Sequence, residues 1–228
     1  MSTPPALELA DVCLSFRDSN GNPVTLIRSA TLTIDSEEIV GLVGASGSGK
    51  TTLARAILGI LPDGVSCTGH IRTRRPIAYI DQDPGGTFNP VRRVGSQITE
   101  VLRWNCGLGR PAAVAEAQRL FQQLSLPASL LDAYPHQLSG GQQQRAAIAR
   151  AVASGPALVI ADEPGSALDV VTQLEFIDTL LAWRAERRFS VLLISHEASL
   201  IRGLCDRVVR LEHGALHPER IGRQERCA

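Results

Sequence analysis

A chain of 228 residues, 44% hydrophobic and 20% charged, is long enough to bury one substantial core and too apolar to remain disordered. Its 23 basic and 23 acidic residues cancel, so bulk electrostatics gives no reason to expect nucleic-acid binding. Five scattered cysteines (Cys13, Cys67, Cys106, Cys205 and Cys227) form no CxxC pair, which argues against a zinc site or a disulfide framework and for a reducing compartment. The start at Met1-Ser2-Thr3 lacks the basic-then-apolar pattern of a signal peptide, and no apolar run reaches the roughly 18 residues of a spanning helix. Any membrane contact is therefore expected to run through a partner.

Leu7, Leu9, Val12, Leu14 and Phe16 recur at about every second position, the alternation of a half-buried strand. Residues 18–23, with Asn20-Gly21 inside them, are turn chemistry, and residues 24–34 alternate again toward a second and third strand. This front portion is expected to be antiparallel. Ile39-Val40-Gly41-Leu42-Val43 is different: a short apolar run of the kind buried on both faces in a parallel sheet. Ala157-Leu158-Val159-Ile160-Ala161 and Val191-Leu192-Leu193-Ile194 match it. Ligands of open parallel sheets sit beyond the carboxyl ends of the strands, so the residues from Gly44 onward, Asp162-Glu163 and Ser195-His196 are placed to converge on one ligand.

Between Gln82 and Ser139, Ala, Leu, Gln and Arg stand at helical spacing, for instance over 112–124, with breaks at Pro111, Pro127 and Pro135. The expected organisation is a single α/β domain with a mostly parallel sheet, its core formed by residues 1–81 and 157–228, with a helical subdomain over 82–156 inserted. The tail after Gly214 is polar and weakly patterned, which suggests a loose end or a docking strip.

Gly44-Ala45-Ser46-Gly47-Ser48-Gly49-Lys50-Thr51 fits GxxxxGK[ST], follows a predicted strand and opens a helix whose apolar positions are Leu53, Ala54, Ile57 and Leu58. The glycines let successive backbone N–H groups turn inward around phosphates, and the helix start adds positive potential. Lys50 then reaches the β and γ phosphates, Thr51 can ligate magnesium, and Thr52 completes the expected nucleotide-binding set. Lys50 itself is expected to be an exposed loop lysine that adds little to the core. The plain alternative, a glycine-rich turn, does not explain why every motif position is filled between a strand and a helix.

Asp162 and Glu163 end an apolar strand; the first carboxylate can hold magnesium and the second can polarise an attacking water. A solvated Asp-Glu pair is common in isolation, but much less so downstream of a phosphate loop. Further on, Leu138-Ser139-Gly140-Gly141-Gln142-Gln143-Gln144-Arg145 runs into the helical stretch 146–152, with Ser139 as N-cap and two glycines baring the first-turn N–H groups. This is either a second anion-binding helix start or a capped helix and nothing more.

In order and context, residues 44–51, Gln82, 138–142, 160–164, Ser166-Ala167-Leu168-Asp169 and His196 resemble the Walker A, Q-loop, signature, Walker B, D-loop and H-loop motifs of ABC ATPases. The likeness spans nearly the whole chain, and the signature motif is close to diagnostic because other P-loop NTPases lack it. The resemblance implies a P-loop NTPase core that hydrolyses ATP with Mg2+, in a head-to-tail dimer where the phosphate loop of one chain and Ser139, Gly140, Gly141 and Gln142 of the other sandwich each nucleotide. It also implies that Phe16 stacks on adenine, that Gln82 contacts magnesium and the attacking water, that Glu163 is the catalytic base, that His196 touches the γ-phosphate and that Asp169 lies near the nucleotide. The plain alternatives are a core phenylalanine, a loop glutamine and a satisfied strand-end histidine.

A narrower likeness lies in Gln82-Asp83-Pro84 with Phe88-Asn89-Pro90, in Val94-Gly95-Ser96-Gln97-Ile98, in Tyr134-Pro135-His136 and in Asp169-Val170 with Gln173. These are similar to the ATPases of bacterial dipeptide, oligopeptide, nickel and metallophore importers. The stretch from Lys50 to Gln82 is short for that family, Gly165 stands where a threonine-like residue is usual, and the longer C-terminal extension of the oligopeptide branch is missing. The resemblance implies transmembrane permease partners docked near the Gln82 loop, with Phe88 as a contact, an identical or paralogous second ATPase, and an extracytoplasmic solute-binding protein acting indirectly. The chain would then sit peripherally on the cytoplasmic face of the inner membrane. The rival readings are an accessory subunit of a soluble enzyme complex and a soluble ABC ATPase of DNA repair or translation; the long coiled-coil insertion or second cassette usual in the latter is not visible here.

Overall fold

The computed structural model describes residues 4–82, 84–164, 170–197, 201 and 203–219. The chain divides into two compact units, one formed by residues 1–74 with 190–228 and the other by residues 75–189.

In the first unit, β1 (Leu7–Arg17) and β2 (Pro23–Ile34) form the expected hairpin, with Leu7, Leu9, Val12 and Leu14 buried on one face. Its turn is closed by Asp18, whose carboxylate accepts the Asn20 and Asn22 N–H groups at 2.9 and 2.8 Å; these backbone donors hold the Asp18 carboxyl below its ordinary range. The alternation over 24–34 belongs to one strand, not two. The second partner of β1 is β4 (Val65–Thr73), a polar and largely exposed strand that carries little hydrophobic signal in the sequence. β3 (Ile39–Val43) is fully buried and pairs in parallel with both β7 (Ser190–Ser195) and β8 (Arg207–Glu212). The last described strand, β9 (Ala215–Glu219), pairs antiparallel with β8 and meets β2 at Ser29, so the tail from Ala215 to Glu219 is sheet and not a loose end. The order across this unit is β4-β1-β2-β9-β8-β3-β7. α1 (Lys50–Leu58) follows β3 and buries Leu53, Ala54 and Ile57, the apolar face read from the sequence.

The second unit contains the parallel pair β5 (Ile77–Ile80) and β6 (Leu158–Asp162), together with α2 (Val94–Cys106), α3 (Arg110–Gln123), α4 (Gly140–Ala153) and α5 (Val170–Arg187). Pro111 stands in the first turn of α3, where its missing N–H costs nothing, and Pro127 and Pro135 open short 3-10 turns. Gly95 lets α2 approach the 3-10 turn Ala128–Asp132 closely: a Cβ there would lie 2.6 Å from the Leu131 carbonyl. Glu116 of α3 accepts from Arg119 at 2.8 Å and from Arg187 of α5 at 2.9 Å, an ion network joining the two helices.

Candidate functional site

The phosphate loop begins where β3 ends and closes onto α1. Gly49, the residue before the helix, has φ of 106° and lies against the Leu26 side chain, which a Cβ would meet at 2.9 Å. An L side chain there would be both strained and crowded. Gly44 is tighter still, since a Cβ would lie 2.6 Å from the Leu211 carbonyl of β8. Ala45, Ser46 and Gly47 are exposed, so the outer rim of the loop is open.

Lys50 is buried, at 5% exposure, and its ammonium donates to the Gly44 and Ala45 carbonyls at 3.0 and 3.1 Å. The expectation of an exposed lysine marginal to the core is therefore wrong: the side chain folds along the inner wall of the loop because a buried ammonium must find acceptors. Beside it the Ser48 Oγ is buried and has no hydrogen-bond partner among the described residues. A cationic wall, an orphaned hydroxyl and an open glycine rim fit a polyphosphate. Thr51 is exposed in the first turn of α1, and Thr52 is half-buried beside it. Among the described residues no cluster of three or more His, Cys, Asp or Glu side chains could hold a metal. A magnesium ion at the Thr51 hydroxyl would thus depend on phosphate oxygens and water for most of its shell, which is how that ion is usually held in phosphoryl-transfer sites.

His196 belongs to the same end of the same sheet. Val43 and Ser195 are register partners in β3 and β7, so the phosphate loop and His196 leave the sheet side by side. Ser195 Oγ accepts the Glu197 N–H at 3.0 Å, and His196 is exposed at this turn. Phe16 is half-buried near the end of β1, opposite Val24 and Val65, so it is not a fully buried core residue.

In the second unit the register of β5 with β6 pairs Ile80 with Ala161, so Gln82 and the Asp162-Glu163 pair emerge from one strand end. Asp162 is buried at 2% exposure, and its Oδ2 accepts the Tyr79 hydroxyl at 3.1 Å. Tyr79 was not legible as a site residue, because within Ile77-Ala78-Tyr79-Ile80 it reads as one more strand position. Glu163 takes φ of 46°, a left-handed conformation that costs a non-glycine residue about 1–3 kcal/mol and turns its backbone sharply away from β6. Gln173 of α5 donates to the carbonyl of Pro164, which follows the acidic pair, at 3.1 Å. Gln82 is exposed, with its N–H on the Asp81 carboxylate at 2.7 Å. Asp169 lies outside the described residues, as do Asp83 and residues 165–168.

α4 starts with a reciprocal cap: Ser139 Oγ accepts the Gln142 N–H at 3.4 Å and Gln142 Oε1 accepts the Ser139 N–H at 2.9 Å. One of the first-turn donors expected to be bare is thus taken by the cap. The N–H groups of Gly140 and Gly141 have no acceptor within the helix, and the space a side chain would fill at both glycines is open. Gln143 holds the approach to the cap through the Pro135 and Leu138 carbonyls, at 3.0 and 3.3 Å.

Phe88 does not reach the surface. It is 4% exposed, and beside it the guanidinium of Arg150 lies 5.9 Å from its ring centroid, so its expected role as a partner contact does not hold. Among the described residues of this unit the exposed large apolar side chains are Val91, Trp104 and Val114, and a cleft of about 610 Å³ opens between α2 and α3, lined by Arg103, Trp104, Arg110 and Val114 among others.

Residues 27–166 match the family model described as ABC transporter. The chain belongs to the ABC transporter family. Relatives agree: a probable D,D-dipeptide transport ATP-binding protein of Escherichia coli is 36% identical over 94% of this chain and 71% of its own length. An oligopeptide transport ATP-binding protein of Mycobacterium tuberculosis is 35% identical over 92% of this chain, which spans only 37% of that relative. In fold, the bacterial ABC transporter cassette MJ0796, solved as a dimer, superposes with a TM-score of 0.79 at 23% identity over 95% of this chain and 99% of its own. The mixed α/β architecture with its mostly parallel sheet is thus that of an ABC cassette. Among the described residues no helix is long and apolar enough to cross a membrane.

Proposed function

We propose that this chain is the ATP-hydrolysing subunit of a bacterial ABC importer for peptides, nickel or metal-chelate-like solutes, and that it acts as half of a head-to-tail ATPase pair. The observation that carries the reading is the presence on one chain of two glycine-lined helix starts that could each receive a phosphate. One is the loop whose inner wall is Lys50; the other is the Ser139-capped, glycine-lined start of α4. A phosphate-loop enzyme that works alone has no need of the second.

On this reading Phe16 stacks on adenine, and the backbone from Gly44 to Gly49 with Lys50, Thr51 and Thr52 receives the phosphates. Thr51, Asp162 and Gln82 would hold magnesium, which supplies neutralisation of the triphosphate charge. Glu163 accepts the proton of the water that attacks the γ-phosphorus, the bond to the β–γ bridging oxygen breaks, and His196 steadies the departing phosphoryl group. Ser139, Gly140, Gly141 and Gln142 act on the nucleotide of the partner chain, with Asp169 at the junction. In this scheme residues 1–81 with 157–228 are the nucleotide-binding core, and 82–156 are the helical subdomain that carries motion to the permease. The exposed Val91 and Trp104 beside the α2–α3 cleft take the docking role that buried Phe88 cannot. The chain would then be peripheral on the cytoplasmic face, with a solute-binding protein acting only through the permease.

Coexpression with the permease subunits, detergent extraction and copurification tests this. The permease should copurify, and Val91→Asp with Trp104→Asp should release it without changing ATP affinity. Copurification of a soluble enzyme complex instead would overturn the importer reading.

A further inference from the structure

Residues 87–92 are gripped from two helices. From the last turn of α4, Arg150 Nη1 donates to the Thr87 carbonyl at 2.9 Å, and its guanidinium faces the buried Phe88 ring. From α2, the buried Gln97 accepts the Asn89 N–H at 2.8 Å and donates to the Asn89 and Arg92 carbonyls, both at 3.1 Å. The Gln97 amide thus spans residues 89–92, whereas Arg150 keeps a buried Nε with no partner among the described residues. Burial pulls the Arg150 guanidinium below its ordinary range, and Glu100 opposes that shift.

The position of Arg150 on its helix gives this grip a meaning. α4 begins at the Ser139 cap and is packed along its length by Ala146, Ala147, Ile148, Ala149 and Val152, all buried. A well-packed helix moves as a body, and the eleven residues from Ser139 to Arg150 set the two ends about 16 Å apart at 1.5 Å per residue. A displacement at the cap must therefore appear at Thr87 and Phe88 as long as Arg150 holds them.

We propose that Arg150 is a positioning residue that couples the nucleotide-facing start of α4 to residues 87–92, the segment next to the exposed Val91, with Gln97 keeping that segment in one piece. The proposal rests on the ATP-sandwich reading and deepens it. Arg150 touches neither nucleotide nor reacting atoms; removing it should separate ATP binding from the response of the 87–92 segment.

The test is backbone hydrogen–deuterium exchange on the full chain carrying Glu163→Gln, with and without magnesium-ATP, at residues 46–51, 139–142 and 87–92. With Arg150 present, ATP should change exchange at all three, by about five-fold or more at 87–92. Arg150→Met should keep the change at 46–51 and 139–142 and lose it at 87–92, and Arg150→Lys, which keeps a cationic donor for the Thr87 carbonyl and the Phe88 ring, should restore it. An undiminished response at 87–92 in Arg150→Met overturns the proposal. Should that variant not fold, Phe88→Leu, which keeps the burial and removes the ring face, should at least halve the response, and a full response overturns the proposal equally. An absent ATP effect at 46–51 and 139–142 with Arg150 in place would instead count against the sandwich.

Discussion

Replacing Lys50 by alanine should weaken both the ligand-free protein and its hold on nucleotide. In the structure the ammonium bonds at least two loop carbonyls, those of Gly44 and Ala45, from a site only 5% exposed. A hydrogen bond to a charged group contributes about 1.5–3 kcal/mol net; because the freed Ala45 carbonyl lies at the exposed rim and can turn to water, we take about 2 kcal/mol for the pair together. For a protein of this size each kcal/mol moves the melting temperature by about 2–4 °C, so Lys50→Ala should melt about 4–8 °C lower without ligand. Losing the proposed contact of the lysine with the phosphates should cost a further 2–3 kcal/mol, or about 30- to 150-fold in affinity for magnesium-ATP. Scanning calorimetry and isothermal titration calorimetry read the two effects separately. An unchanged melting temperature would refute the structural role of the buried ammonium, and an unchanged ATP affinity would refute the assignment of Lys50 to the phosphates.

Other consequences follow from single contacts. Glu116, paired with Arg119 and Arg187, is held down to about 2 from an ordinary 4.5, so its contribution is full above pH 4.5 and is lost as the pH falls toward 2. Glu116→Gln should therefore cost about 1–2 kcal/mol in urea unfolding near pH 7, after allowance for solvent screening, with the difference from wild type shrinking below pH 4.5. Cys205 is buried, and that burial pushes its thiol up to about 12, so it should stay unlabelled by a maleimide at pH 7.5 while exposed Cys67 and Cys106 react; rapid Cys205 labelling in native protein would contradict its packing.

The hairpin and the buried parallel strand β3 were legible because their patterns are local: alternation in one, unbroken apolarity in the other. The phosphate loop was legible for the same reason, as a contiguous run, although what crowds two of its glycines, the Leu211 carbonyl at Gly44 and the Leu26 side chain at Gly49, lies elsewhere in the chain. What was not legible depends on partners far along the chain. β4 is largely exposed, its few apolar residues Val65, Cys67 and Ile71 give only a weak alternation, and it is held by its pairing with β1, whereas β9 is held by β8 and touches β2 at Ser29. Phe88 reads from the sequence as a surface contact because Arg150, whose guanidinium lies over its ring, stands 62 residues later. Lys50 could be named for its chemistry, but its burial depends on a loop path that the motif does not spell out. Tyr79 carries no motif and is found only through the Asp162 carboxylate it bonds.

The ATP-dependent sandwich is tested most directly by the mass of the Glu163→Gln protein in light scattering after size exclusion, with and without magnesium-ATP and with its partner ATPase present. Glutamine keeps the shape of Glu163 but cannot accept the proton, so hydrolysis should fall by roughly 10² to 10⁴-fold while binding through Lys50, Thr51 and the loop amides survives. The protein should then accumulate as an ATP-bound dimer, and adding Ser139→Arg, which sets a bulky cation where the cap of α4 must approach the phosphates, should return it to monomer. A Glu163→Gln chain that stays monomeric at every ATP concentration, or that turns over ATP at the wild-type rate, would contradict the account.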